Sequence, residues 1–443
     1  MGLSPPLSAI YAGVMSLAEV VYASTMRALR VASPVLAVGS SKLARGIRAR
    51  GHAVETLINW AAGGRDVDRG LVWFHAASVG EALQARAVLE VLLARRPHLQ
   101  TAFTHFSPSA ELLATRMPVD VAGYLPWDVP NEVRAALLAL RPSLLVFTQK
   151  EVWPTLTREA VSMDVPIALV AATLPQRAGR MRPMARPVIR SALTSLDLVA
   201  AIASPDGERF VSIGARPGSV RVTGDPGVDA AWIGAHSVDP SEPYLEPFRH
   251  DDRPTLVAGS TWESDEAVLL RALQRVRVEW PDLRLVIAPH EPSETRVRGL
   301  ASALGEAGWR TATLGGMERT GTLSDIDAVV VDRVGVLAHL YTIGSIAYVG
   351  GGFHSHGLHN VLEPAAAGCP TLIGPRHTNS CAAVDLVQRG GVVSTNPEGL
   401  ASVLTAWFDD ADALARSGKA AADYVAEHRG AAERTADLLE ELL

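Results

Sequence analysis

From Leu71 onward the chain repeats one pattern: a short, continuous apolar run, a polar turn, then a helix-length segment. The runs "LVWFH" (71–75), "LQTAFT" (99–104), "LLVFT" (144–148), "PIALVA" (166–171) and "LVAAIA" (198–203) lack the in–out alternation of a half-exposed strand. They therefore suit strands buried on both faces of a parallel sheet, with helices such as "EALQARAVLEVLLARR" (81–96) as the covering crossovers. The pattern breaks at "SVDPSEPYLEPFRHDDRP" (237–254), which is rich in proline and charge and reads as a linker. It resumes with "TLVAG" (255–259), "RLVIA" (284–288), "DAVVV" (327–331), "SIAYV" (345–349) and "PTLIG" (370–374). The expected fold is α/β: two doubly wound, Rossmann-like domains, with ligands bound at the carboxyl ends of the strands in a central cleft. The boundaries expected are 1–50 for an N-terminal segment, 51–236 and 255–443 for the domains, and 237–254 for the linker.

Composition narrows the function classes. A chain that is 48% hydrophobic and 20% charged is globular rather than disordered. A net charge of −6 argues against general nucleic-acid binding. Two cysteines, Cys369 and Cys381, imply neither a disulfide framework nor a cysteine zinc site. The N-terminus stands apart. "PLSAIYAGVMSLAEVVYA" (6–23) is apolar but short and weak for a membrane span, and Arg27, Arg30, Lys42, Arg45, Arg48 and Arg50 follow before the next acid. That arrangement suits the surface of an anionic membrane, and equally an amphipathic helix packed on the protein body.

Several turns after apolar runs carry chemistry-bearing residues. In "FHAASVGEA" (74–82), Ser78 and Glu81 match a capping box, while Glu81 is also placed to take a proton from a hydroxyl. "TQKEVWP" (148–154) puts Lys150 and Glu151 at another strand end, "AGSTWESDE" (258–266) offers an anion-binding turn at Ser260 or a cap, and "APHEPSE" (288–294) follows a strand with His290. In "YVGGGFHSHGLHNVLEPAAAGCP" (348–370), His354, His356 and His359 lack metal-ligand spacing, and no metal is expected. Asn360 and Glu363 form a second capping pattern, and the preceding glycines permit close approach of the backbone to a phosphate.

In this order, "HAASVGE", "FSPSA", "YLPWDVP", "EVWP", "SIGA…RVTGD", "GST", "APHE", "DRVGVLAHLY" and "YVGGGF…HNVLEPAAAGCPTLIGP" resemble the 3-deoxy-D-manno-octulosonic acid (Kdo) transferases, over about Val72 to Ala383. The resemblance implies a GT-B fold and an inverting transfer of Kdo from CMP-Kdo to the lipid A precursor in lipopolysaccharide synthesis. It implies no cofactor or metal, and a place on the cytoplasmic face of the bacterial inner membrane, peripheral or single-pass. It assigns Glu81 as general base and Glu151 to transition-state stabilisation. Donor contacts would come from Ser260, Pro289, His290, Val334, Gly335, Val336, Gly351, Gly352 and Asn360 to Glu363 (with Val361 and Leu362). Acceptor contacts would come from Ser78, Ser107, Arg177 and Arg180, the arginines lying in an acid-free stretch.

Three positions depart from the family's pattern. Gln149 stands where many members have an acid, Val336 where many have glutamate, and Gly227 where a lysine or arginine is usual. The Gly227 departure leaves a weakly active, CMP-binding member as one alternative reading. A GT-B-like sugar-nucleotide epimerase is another.

Overall fold

The computed structural model describes residues 16–39, 41–174, 186–248 and 253–443. The chain forms two compact units, one of Met1–Ala230 with Arg429–Leu443 and one of Ala231–His428. Each is built on a seven-stranded sheet in which every pairing is parallel.

In the first unit the strands are β1 (Leu71–Ala76), β2 (Gln100–His105), β3 (Val121–Tyr124), β4 (Leu144–Thr148), β5 (Ile167–Ala172), β6 (Leu198–Ala201) and β7 (Val220–Val222). Their order is β3-β2-β1-β4-β5-β6-β7. Every residue of β1, β2, β4 and β5 is buried, as expected where helices cover both faces. One core contains Trp73, Phe147 and Leu169, and the other contains Phe74, Val146 and Leu89.

The second unit contains β8 (Thr255–Thr261), β9 (Arg284–Pro289), β10 (Thr311–Thr313), β11 (Ala328–Val330), β12 (Ile346–Val349), β13 (Thr371–Ile373) and β14 (Val392–Ser394). Their order is β10-β11-β9-β8-β12-β13-β14. Both orders reverse once, between β1 and β4 and between β8 and β12. Crossovers leave opposite faces of the sheet there, which opens a crevice beyond the strands' carboxyl ends.

Two expected boundaries are corrected. The second unit does not run to residue 443, because the helix Ala431–Glu440 rejoins the first. Ala432 and Leu439 pack in the core with Val88 and Leu92, and Asp229 accepts hydrogen bonds from the Gly430 and Ala432 amides at 2.7 and 2.8 Å. The segment expected as linker is anchored as far as it is described. Tyr244, Leu245 and Phe248 are buried within the second unit, and the Tyr244 hydroxyl bonds His339 Nδ1 at 2.5 Å.

At the N-terminus, the helix Leu17–Leu36 starts with a Ser16–Glu19 capping box. Leu17, Val21, Val31 and Val35 share one stripe at about 100° per residue, and all are exposed. Tyr22, Met26 and Ser33 lie on the opposite face, where Met26 packs against Trp127 and Val129. Among the described residues, no helix is long and apolar enough to cross a membrane.

Leu439 is fully buried against the helix Val79–Arg95 side of the first core. Leu439→Ala is expected to destabilise the first unit by about 2–5 kcal/mol, read as a lowered denaturation midpoint with the second unit's transition unchanged.

Candidate functional site

The loops after β1 and β4 form the first crevice. Ser78 caps the helix Val79–Arg95, and Glu81 completes the capping box. Glu81 Oε2 accepts from the Ala77 amide at 2.7 Å and the Ser78 amide at 2.9 Å. Glu81 is buried, and burial raises its carboxyl above the ordinary glutamate range. The Glu151 carboxylate pushes in the same direction, while the two amides and Lys150 oppose it. Thus the sequence-predicted Glu81, Lys150 and Glu151 do come together, and the cap fixes the direction of Glu81. Ser107 joins them, since its amide donates to Ala77 O at 2.8 Å. Arg177 and Arg180 lie outside the described residues.

A chain of amides tightens this crevice. Gln149, at a positive φ of 59°, donates through Nε2 to Gln84 Oε1 at 2.7 Å. Gln84 Nε2 donates to Asp225 Oδ1 at 2.7 Å, and that oxygen also accepts from the Gly227 amide at 2.7 Å. Asp225 is half-buried, and burial raises its carboxyl. A Cβ at Gly227 would stand 2.9 Å from Asp225 Oδ1, so the backbone here closes tightly on its own cap. Two of the departures from the family pattern, Gln149 and Gly227, are therefore ends of one hydrogen-bonded chain.

Behind Glu151, Val152 is buried and Trp153 Nε1 donates to His75 Nε2 at 3.1 Å. His75 is fully buried at the end of β1, and its Nδ1 lies 3.0 Å from Thr104 O. Burial pushes its imidazole down to about 3, so it is neutral.

The second crevice, beyond β8 and β12, is organised by Asp265, a fully buried residue to which the sequence gives no prominence. Asp265 Oδ2 accepts from the Trp262 amide at 3.0 Å and the Gly351 amide at 2.8 Å. Its Oδ1 accepts from the Tyr348 hydroxyl at 3.1 Å and the Phe353 amide at 3.2 Å. One carboxylate thus ties the helix Glu263–Glu279 to the glycine run. The cap expected within this turn is supplied by Asp265 instead. Ser260 instead takes a positive φ of 54°, an uncommon conformation for a residue with a Cβ.

The glycine run has a reason in packing. A Cβ at Gly350 would collide with Ser260 O, at Gly351 with Gly357 O and at Gly352 with the Gly374 amide. The close approach these glycines make in the structure is chain on chain.

The histidines gather around Trp262. His354 stacks on it at 4.4 Å between ring centroids, and His290 and His356 lie at 4.6 and 5.6 Å. His359 Nε2 accepts from Trp262 Nε1 at 2.9 Å. Burial, then His290, pushes His359 down to about 4. Among the described residues, no group of three His, Cys, Asp or Glu side chains is arranged to hold a metal ion.

His290 joins Ser260 and Thr261 directly, since its amide donates to Thr261 O at 3.0 Å; Pro289 ends β9 beside it. Val334, Gly335 (φ 86°) and Val336 follow β11 and lead into the helix Leu337–Tyr341. The second capping pattern differs from expectation. The helix is Leu362–Ala366, capped at Val361, and Asn360 Oδ1 accepts from the Leu362 amide at 3.0 Å. Asn360 Nδ2 donates to Glu363 Oε1 at 3.4 Å, and burial raises the Glu363 carboxyl to about 6.

Residues 48–230 match a family described as 3-deoxy-D-manno-octulosonic-acid transferase (kdotransferase). A Bordetella pertussis protein named 3-deoxy-D-manno-octulosonic acid transferase is 30% identical over 397 residues, covering 84% of this chain and 87% of that protein. A Haemophilus influenzae protein of the same name is 27% identical over 383 residues, with coverages of 84% and 87%. Among solved structures, UDP-GlcNAc 2-epimerase from Neisseria meningitidis superposes with a TM-score of 0.58 at 12% identity, covering 84% of this chain and 99% of that one. The S. aureus MnaA–UDP complex gives 0.59 at 15% identity, covering 84% and 98%. At such identities the likeness is one of fold: two Rossmann-like domains of the GT-B type.

Asp265→Ala would leave four donors, two of them fully buried, without their acceptor. It is expected to cost about 3 kcal/mol or more, measured as a lowered denaturation midpoint of the second unit.

Proposed function

This chain belongs to the 3-deoxy-D-manno-octulosonic acid transferase family of glycosyltransferases, and from that premise we propose that it transfers Kdo, with inversion, from CMP-Kdo to a lipid A-type acceptor. The observation that carries the reading is Glu81: a buried carboxyl at the β1/β4 reversal, aimed by its own cap and raised by burial and by Glu151.

In this reading the acceptor hydroxyl gives its proton to Glu81 as its oxygen attacks the anomeric carbon of Kdo. CMP departs from the opposite face of the sugar. A base with a raised pKa holds the accepted proton more firmly, while the cap amides keep its oxygen in place. Burial raises that basicity first and Glu151 adds to it, and Glu151 also faces the positive charge developing on the sugar. Ser78 and Ser107 contact the acceptor, and Arg177 and Arg180 take its phosphates. In the second unit, Ser260, Pro289, His290, Val334–Val336, Gly351, Gly352 and Asn360–Glu363 hold CMP, with Glu363 on the ribose hydroxyls. The reaction needs no metal or cofactor.

The protein works from the cytoplasmic face of the inner membrane as a peripheral enzyme. Support comes from the exposed stripe of Leu17, Val21, Val31 and Val35 and from the neighbouring bases Arg27, Lys42, Arg45 and Arg48.

Glu81→Gln keeps an acceptor for the two cap amides but removes the base. It is expected to lower kcat by roughly 10²–10⁴-fold in a mass-spectrometric assay of Kdo addition to tetra-acylated lipid A precursor. Near-normal transfer would contradict the assignment. The acid limb of the pH profile should lie above the ordinary glutamate range, because Glu81 must be ionised to act. Glu151→Gln removes a negative neighbour, so the surviving activity should show its acid limb at lower pH than the wild type. Val31→Asp with Val35→Asp should weaken binding to anionic phospholipid vesicles on the order of tenfold, as read by co-sedimentation, without changing the melting temperature.

A further inference from the structure

The turn that carries Lys150 and Glu151 closes on itself, the Glu151 amide donating to Thr148 O at 3.2 Å and the Val152 amide to Lys150 O at 3.0 Å. It runs directly into the start of the helix Pro154–Ser162. That helix has no cap from its own N-cap residue, Trp153. Its free amides are taken by Asp128, which lies on the segment between β3 and the helix Pro130–Leu140. Asp128 Oδ2 accepts from the Thr155 amide at 2.9 Å, and Oδ1 accepts from the Leu156 amide at 2.8 Å.

Asp128 is 1% exposed, so its charge depends on these partners. Its third donor is the Tyr22 hydroxyl, at 2.7 Å, which reaches Oδ2 from the helix Leu17–Leu36. The facing charge is Arg50, itself buried among Phe106, Trp127 and Trp153 at 4.6–5.2 Å from their ring centroids. Arg50 spends its own donors on Leu125 O and Pro126 O, at 2.9 and 2.8 Å. A second tie from the same helix, Arg30 to Glu132 at 2.5 Å, fixes the segment beyond Asp128. The Tyr22 ring packs with Met26 on Trp127 and Val129.

We infer that Tyr22 is a positioning residue: through Asp128 it holds the start of the helix Pro154–Ser162, and thereby sets where the Lys150–Glu151 turn presents its carboxylate to Glu81. This rests on the proposed roles of Glu81 and Glu151. The Tyr22 hydroxyl completes the shell of a buried carboxylate that also holds the Thr155 and Leu156 amides, four and five residues beyond Glu151. The N-terminal helix is therefore part of the catalytic unit's framework, with its opposite face left free for a lipid surface.

The test uses the full-length protein and Tyr22→Phe, which keeps the ring and removes only the hydroxyl. Two readouts are taken. The first is hydrogen exchange at the Thr155 and Leu156 amides, which does not depend on any catalytic assignment. It should accelerate about fivefold or more; unchanged exchange would overturn the inference. The second is the kinetic pH profile, in which the charged neighbours of Glu81 are Glu151 and Lys150. Tyr22→Phe should lower kcat about tenfold, leave the KM for CMP-Kdo unchanged and move the acid limb in the same direction as Glu151→Gln. In the Glu151→Gln background it should move the limb no further. Met26→Ala, which loosens the same helix without touching Asp128, should lower the melting temperature and leave the limb in place. Faster exchange with an unmoved limb, in a protein whose limb responds to Glu151→Gln, would reduce Tyr22 to a structural contact and overturn the inference. If Glu151→Gln itself fails to move the limb, the proposed pairing of the carboxylates fails, and the exchange measurement still decides the role of Tyr22.

Discussion

A parallel sheet whose strand order reverses once must leave part of its carboxyl edge without a covering crossover. Here both sheets do so, at β1/β4 and at β8/β12. Most of the chemically notable turns are exits from one of these strands or from a strand beside them, while those of Val334–Val336 and Gly227 follow β11 and β7 farther out. The exits from β1 and β4 bring Glu81, Lys150 and Glu151 together, and the exits from β8, β9 and β12 bring Ser260, His290 and the glycine run together. Two of the exit residues, Gln149 and Ser260, sit at positive φ without being glycine. Such conformations cost free energy and persist where their surroundings over-determine them.

The two crevices solve opposite electrostatic problems. In the first, burial and a like charge push a carboxyl upward, while two backbone amides and a lysine oppose the shift. In the second, one buried carboxylate, Asp265, takes four hydrogen bonds and is spent on architecture, while four imidazoles crowd one indole. His359 accepts from the Trp262 N–H, so protonating that nitrogen would break the bond, and burial acts in the same sense. The glycines of the second crevice stand where backbone meets backbone.

The central strands are legible where they carry uninterrupted apolar runs, such as Leu144–Phe147 and Ile167–Ala172. The strands β3, β7, β10 and β14 are three or four residues long and largely half-exposed, so they leave no such run. The Ser78–Glu81 box was legible because it closes within four residues. Asp265 was not, since its partners Gly351 and Phe353 stand 86 and 88 residues away. The Asn360 pattern looked like a capping box, yet the side chains bond each other and the Leu362 amide, because the helix begins later than the pattern suggests. The return of the helix Ala431–Glu440 to the first unit rests on Leu439 and on Asp229, two contacts that no local pattern announces. The link from Tyr22 to Asp128 spans 106 residues and was equally hidden.

The account turns on the ionisation of Glu81 and on what sets it. Carbon-13 NMR titration of the Glu81 side-chain carboxyl, in the wild type and in Glu151→Gln, measures that quantity without reference to turnover. The wild-type carboxyl should titrate above the ordinary glutamate value of about 4.3, and the variant should titrate lower than the wild type. A wild-type Glu81 that titrates at or below that value, or one indifferent to the loss of Glu151, would contradict the account.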